Sequence, residues 1–410
     1  MKRLFRIHRA LKASGGRQPP GSEAAARRNI IGDASSPIFR GMDLRSVMSA
    51  ATDRRSILRE PQQKLDDSSG TGSKLAITLA SWLTLALFST AGAQETEKPA
   101  PQKNEVLVKI RARSVNYRDV RILAGLYPVP GRPGLVALSD GAGEVVAVGE
   151  SVSRVAVGDR VAATYFPQWI DGAFSLSVAM DQFGCTRDGM LAPLAVVNEA
   201  ALVKLPTHLS FEEGATLPCA GLTAWSALLG PRPILAGETV LTIGTGEVAL
   251  FALQFARLFG AQVVSITSTE AKAQRLRELG ADEVINYVTT PDWDRAVRER
   301  TGGRGVDHVV ETGSIDTLSR SVASTAEGGV VTFVAALGDG SFDPRCLFNP
   351  VVLRRTYVGS RAGFEAMNRA ISAHRLQPVI SRVFRFAEAK EAYGYFESRK
   401  HIGKVVIAGS

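Results

Sequence analysis

"TVLTIGTGEVALFALQFARLFGAQVVSIT", residues 239 to 267, decides how this chain is read. Thr239 to Ile243 read as a short buried strand. Gly244, Gly246 and Ala249 follow as G-x-G-x-x-A. Apolar residues at helical spacing come next, Gly260 stops them, and "QVVSI" opens a second strand. In such a strand–turn–helix unit the first glycine allows the tight turn. The second lets a diphosphate approach the backbone, and the third small residue lets helix pack on strand. The helix start offers unpaired N–H groups and partial positive charge. The stretch therefore predicts a dinucleotide site.

Glu247 stands inside the motif. A carboxylate in a first helical turn is favourable by about 0.3–1 kcal/mol. Beside a diphosphate it is repulsive, and strongly so only if it points inward. Residue 247 lies between the second and third small positions, so its side chain is expected to turn outward to solvent. Cofactor affinity is then weakened, not abolished.

Downstream the alternation continues. "EVIN", "VDHVVE" and "VVTFVA" read as strands, with helices between them that end in glycine, as in "LRELG". This pattern predicts a parallel sheet wound on both faces. Where the second strand ends, NAD sites usually carry Asp or Glu; here stand Thr267, Ser268 and Thr269, then Lys272 and Arg275. Hydroxyls and cations suit the 2′-phosphate of NADP(H) better than NAD(H). Ser268 and Thr269 also suit caps for a helix starting near Glu270.

Upstream, "EVLVKIRARSVN" alternates. Val106, Val108, Ile110 and Ala112 face one way and Lys109, Arg111 and Arg113 the other, a half-buried strand. "GAGEVVAVGESVSRVAVGDRVAA" and "GMLAPLAVVNEAALVKLP" add short strands, predicting a small barrel, and "FEEGATLPCAGLTAWSALL" turns to helical spacing. The region from 366 to 410 reads as helix, strand, helix and closing strand. The expected organisation is a barrel domain over 104–230, completed by 366–410, and a nucleotide domain over 231–365.

Ahead of them, residues 1–74 hold 15 Lys or Arg against 7 Asp or Glu, which accounts for +8 of the formal net charge of +9. The rest of the chain is nearly neutral, so the basic balance does not point to a nucleic-acid-binding body. This head lacks periodicity and reads as disordered. Leu75 to Gln94 is a run of 20 residues without charge, ending in Ala91-Gly92-Ala93. It reads as an export signal translated from Met48, as a membrane anchor, or as part of a misassigned start. Residues 95–103 form a polar linker. A folded body that uses nicotinamide is expected in the cytoplasm, with membrane contact or export through residues 75–93 as alternatives. Three scattered cysteines, Cys185, Cys219 and Cys346, exclude a disulfide scaffold or a CxxC metal site.

"NEVLVKIRARSVNYRDV", "GAGEVVAVGESVSRVAVGDRV", "LPCAGLTAWSAL", "VLTIGTGEVALFALQFARLFGA", "LRELGADEVINY", "TGGRGVDHVVE" and "HIGKVVI" resemble, in order, the medium-chain dehydrogenase/reductase superfamily in its zinc-free, quinone-oxidoreductase-like branch. The resemblance implies an α/β protein with a GroES-like β-barrel domain and a Rossmann domain of doubly wound parallel sheet, a cleft between them, and a homodimer. Where zinc-dependent members carry their ligands this chain has Asn116, Ser139 and Cys219, so Cys219 reads as a packed thiol and no zinc is expected. Family members open the barrel with strands that the run before "EVLVKI" does not resemble.

By the same resemblance, Thr223 lies near the nicotinamide. The backbone of Gly244, Thr245, Gly246 and Val248 holds the diphosphate. Ser268, Lys272 and Tyr287 border the 2′-phosphate. Val334 to Ala336 and Ser360 sit by the nicotinamide ribose, and Lys404 reaches a phosphate. Substrate-side candidates are Asn116, Tyr117, Asp119 and Tyr127. Asn116 suits a carbonyl oxygen, the tyrosines a proton or a ring, and Arg118 with Asp119 reads equally as a structural ion pair. The function implied is a zinc-independent NADPH-dependent transfer of hydride to a small-molecule quinone or α,β-unsaturated carbonyl. The alternatives are a metal-free NAD(P)-dependent alcohol or aldehyde dehydrogenase-like enzyme and a catalytically silent NADPH-binding protein.

Overall fold

The computed structural model describes residues 99–334 and 340–409. The expectations for the basic head, the hydrophobic run and Ala336 lie outside these residues. Among the described residues, thirteen strands form two sheets.

The first sheet is built on β1 (Glu105–Val115). Around it lie β2 (Asp140–Val148), β3 (Arg160–Ala163), β4 (Leu194–Asn198) and β5 (Leu202–Lys204). One side of β1 pairs with β2. Its other side is divided. Glu105 to Lys109 pair with β4, and Ala112 to Val115 pair with β13 (Lys404–Ala408), which in turn carries β12 (Ile380–Arg385) in parallel. Alternation holds as expected for Val106, Val108, Ile110 and Ala112, all buried.

Arg113 departs from it. Expected on the solvent side, it is fully buried, donating to the carbonyls of Met190, Ala192 and Gly409 with Phe386 beneath its guanidinium. The far half of β1 is covered by the end of the chain, and three carbonyl acceptors make burial of the cation tolerable.

The second sheet is parallel, in the order β11-β10-β9-β6-β7-β8. Its strands are β6 (Thr239–Ile243), β7 (Gln262–Thr267), β8 (Glu283–Asn286), β9 (Val306–Glu311), β10 (Thr325–Phe333) and β11 (Val352–Arg355). The sequence reading anticipated the first five and passed over β11. Helices α1 (Tyr117–Leu123), α2 (Leu222–Leu228), α3 (Glu247–Leu258), α4 (Glu270–Glu278), α5 (Trp293–Arg300), α6 (Ile315–Ala323), α7 (Arg361–His374) and α8 (Ala389–Glu397) complete the framework.

The "LPCAG" segment, Leu217–Gly221, is a wide π-type turn leading into α2. Helix α3 buries Leu250, Phe251, Leu253 and Phe255, and the Phe255 ring meets Trp225 of α2 edge-on at 5.4 Å. Each such side chain removed from water contributes roughly 1.5–3 kcal/mol, which fixes the α3 N-terminus at the end of β6. From β6 the chain runs outward through β7 and β8, then returns to β9 on the other side. The turn after β6 thus lies at the topological switch point, where open α/β sheets bind ligands.

Candidate functional site

Two groups of residues meet at this point. One is the glycine turn. Gly244 takes φ +82°, a left-handed conformation that glycine alone adopts freely, and its N–H bonds to Ile266 O at 2.8 Å. Gly246 is extended, with φ −72° and ψ 172°, and precedes the first helical residue, Glu247. A Cβ on Gly246 would meet nothing within 4 Å. Open space over a glycine at the head of a twelve-residue helix is the cradle a diphosphate requires, so these residues fit a dinucleotide.

Along the adjoining strand ends, Ser268 follows β7 and Thr269 caps α4, its hydroxyl accepting from Lys272 N at 3.3 Å. The capping role read for this pair falls to Thr269. Lys272 Nζ lies 3.4 Å from Arg399 O on the surface, and half-exposed Tyr287 is tied to Thr267 O through its backbone. Val334 follows β10, Ser360 caps α7 at Gly363 N (3.1 Å), and the Thr223 hydroxyl donates to Cys219 O at 2.6 Å.

The second group sits at the end of β1. Asn116 is the N-cap of α1, and its backbone N–H donates to Asp119 Oδ2 at 2.9 Å. Asp119 in turn lies 3.3 Å from the Arg118 guanidinium, and both are buried. Arg118 also donates to Phe183 O (2.9 Å) and Gln182 Oε1 (3.1 Å) and stacks over the rings of Tyr165 and Tyr127. The Tyr127 hydroxyl bonds to the Tyr165 hydroxyl (3.0 Å) and donates to Gln182 Oε1 (3.2 Å). Desolvation lifts the Asp119 carboxyl to about 6, against the pull of Arg118. Of the substrate-side candidates, Asn116, Asp119 and Tyr127 come together around Arg118, while Tyr117 is exposed on the helix surface. Tyr165 and Gln182 belong to the same network and carry no motif that marks them.

Lys404 and Glu247 join the two groups, and both correct the sequence reading. Lys404, expected to reach a phosphate, is fully buried; its ammonium donates to Val115 O (3.0 Å) and Asn116 Oδ1 (2.6 Å) and lies 3.9 Å from Asp140. Glu247, expected outward, turns in, with Oε1 3.7 Å from Lys404 Nζ; that oxygen is buried and, among the described residues, has no hydrogen-bond partner. The physical reason is the buried cation, which supplies a counter-charge that solvent cannot match at short range. Desolvation nevertheless raises the Glu247 carboxyl to about 7, with Lys404 opposing and Asp140 and Asp119 reinforcing the rise.

Asp140 is held by Ser139 (2.8 Å) and Ser114 (3.1 Å). Burial pushes the nearby Cys219 thiol well above its ordinary value, which keeps it neutral. Among Asn116, Ser139 and Cys219 only the cysteine is a usual zinc ligand, so this donor set does not fit a catalytic zinc. Among the described residues, no group of three or more His, Cys, Asp or Glu side chains is placed to hold a metal ion, and no helix is long and apolar enough to cross a membrane. A separate cavity of about 580 Å³, bordered by Leu202 to Thr207 and by Glu365, Asn368, Arg369 and Ser372, is lined by none of the residues of these two groups.

Residues 102–207 match the alcohol dehydrogenase GroES-like domain, and residues 248–373 match the zinc-binding dehydrogenase domain. The chain is 41% identical over 323 residues to a zinc-type alcohol dehydrogenase-like protein of Schizosaccharomyces pombe, covering 76% of this chain and 93% of that one. It is 30% identical over 322 residues to a quinone oxidoreductase of Sus scrofa, covering 75% and 90%. A putative alcohol dehydrogenase from Sinorhizobium meliloti superposes with a TM-score of 0.72 at 35% identity, over 76% and 92% of the chains. A 2-octenoyl-CoA carboxylase reductase in complex with NADP and 2-octenoyl-CoA gives 0.67 at 27% identity, over 76% and 80%.

Proposed function

Because this chain is an oxidoreductase of the medium-chain dehydrogenase/reductase superfamily, we propose that it transfers hydride from NADPH to a quinone or an α,β-unsaturated carbonyl without zinc. The observation that carries this reading is the amide of Asn116. Its Nδ2 is buried and, among the described residues, has no hydrogen-bond partner, a donor that an acceptor oxygen would satisfy. Quinones and enones have such an oxygen and an electron-poor carbon that needs no Lewis acid to accept hydride. The quinone oxidoreductase relative and the reductase solved with NADP and an enoyl thioester support the choice.

The dinucleotide, when bound, supplies the hydride. The chain contributes the rest. Amides at Gly244 to Val248 hold the diphosphate, Ser268 and Lys272 border the 2′-phosphate, and Asn116 Nδ2 donates to the oxygen on which charge grows as hydride arrives. A preorganised donor of this kind is worth about 100-fold or more in rate. Tyr127, backed by Tyr165 and Gln182, is the group proposed to deliver the proton. A homodimer is part of the same proposal.

The inward carboxylate of Glu247 favours one second reading, a silent NADPH-binding protein. The test is NADPH fluorescence on binding, followed by NADPH oxidation with a simple quinone and a simple enone. Turnover lost in Asn116→Ala with binding intact is the expected result. Binding without turnover across such acceptors would favour the silent reading.

A further inference from the structure

Resting on the reductase reading above, we infer that Lys404 is a positioning residue: its ammonium pins Oδ1 of Asn116 and so presents the Asn116 Nδ2 to the acceptor oxygen. An asparagine amide fits its site in two orientations that differ by exchange of O and N. An ammonium has three protons and no acceptor, so the atom 2.6 Å from Lys404 Nζ must be the oxygen. That contact assigns the flip, and the NH2 group is turned to the other side, where no described residue accepts from it. Leaving a buried donor unpaired costs the full desolvation of that group. The fold sustains that cost because the competing orientation would set N–H against a buried cation.

Lys404 is itself constrained from several elements. Val115 O at the end of β1 takes one proton. Asp140 of β2 and Glu247 of α3 stand at 3.9 and 3.7 Å, and Asp119 of α1 and the Cys219 thiol lie within its field. His401, just before β13, is pushed down to about 4 by burial and by neighbouring cations, so near neutrality it brings no competing charge. The clamp also ties barrel to nucleotide domain. Gly403 N donates to Thr245 O at 3.2 Å, beside the Glu247–Lys404 pair. The amide that meets the substrate is therefore set from the glycine turn that meets the cofactor, through one lysine.

The test compares three variants of the full chain with NADPH and a quinone. Lys404→Met should lower kcat by about 10- to 100-fold with little change in NADPH affinity. Lys404→Gln, which can still offer an N–H to Asn116 Oδ1, should recover part of that loss. Because Lys404→Met leaves Glu247 without its counter-charge, the Glu247→Gln/Lys404→Met pair is measured beside it and should show the same kcat deficit in a folded protein. Adding Asn116→Ala to Lys404→Met should cost little more, since both changes remove the same donor. An unchanged kcat in a folded Lys404→Met protein, or equal losses for Met and Gln, would overturn the inference. A second readout does not depend on turnover. The Asn116 side-chain amide resonance in 15N-asparagine-labelled protein, assigned through Asn116→Ala, should shift in Lys404→Met and less in Lys404→Gln. If the wild type turns over no acceptor yet this resonance behaves as expected, the reductase reading fails and the clamp stands. If turnover is present and the resonance does not move, the clamp fails alone.

Discussion

The glycine turn after β6 and the polar cluster after β1 lie one lysine side chain apart and are built on opposite principles. The turn works through backbone: left-handed Gly244, bare Gly246 and the free amides of α3. Its sequence neighbours supply everything it needs. The cluster works through side chains gathered from β1, β2, α1, α3, β13 and the loop holding Gln182. It is stable only because each buried charge has found a partner. The difference teaches that the glycine turn is a local property of this chain, whereas the polar cluster is a property of the finished fold.

That contrast can be broken in four ways, in falling order of effect. Arg118→Met should destabilise the protein by about 3–5 kcal/mol, because it strips Asp119 of its buried cation. Denaturant unfolding would measure it, and a change below about 1 kcal/mol would mean the cluster behaves like a surface pair. Gly246→Val should do the reverse, weakening NADPH binding by about 100-fold while the thermal midpoint barely moves, since a Cβ there meets only open space in the free protein. Calorimetric titration beside a melting curve separates the two.

Glu247 sits on the border between the regions and should confer pH dependence. Its carboxyl is raised from 4.5 to about 7. Protonated, it is neutral beside a diphosphate; as pH climbs through about 7 it becomes an anion, and NADPH affinity should fall by up to about tenfold per pH unit. Its own contribution to stability has the same sign, complete below pH 4.5 and lost as pH rises through about 7. Glu247→Gln should bind NADPH more tightly at pH 8 and flatten the profile. A wild-type profile parallel to that of the variant would show that the carboxyl does not sense the cofactor. Smallest of all, Lys272→Ala should weaken NADPH by a few-fold, roughly the worth of one exposed charge, and leave NADH unaffected. Equal loss for both coenzymes would remove Lys272 from the 2′-phosphate.

Most of the fold was legible because its signals are local. Strands β6 to β10 follow from apolar runs between glycines, and the buried face of β1 follows from period two. Arg113 and Glu247 were both placed on the solvent side, and both are buried for the same reason. The end of the chain, through Gly409 and Lys404, covers the face that periodicity leaves open. No spacing rule within β1 or α3 contains that information. Tyr165 and Gln182 escaped notice likewise, since Gln182 meets Arg118 from 64 residues away. A signal did exist in "NYRD". An arginine next to an aspartate, at the end of a buried strand, must find further acceptors if the strand end is covered. β11 was missed because "VLRR" is half charged, and it lies at one edge of its sheet.

The division of one side of β1 between β4 and β13 has a consequence for biosynthesis. Lys404 closes on Val115 across 289 residues. While the ribosome makes the whole nucleotide domain, the far half of β1 waits with its ladder unmet, and the amide of Asn116 has no fixed orientation. Assembly of the polar cluster therefore waits for β13, and a nascent chain arrested before it would carry a finished glycine turn beside an unfinished cluster.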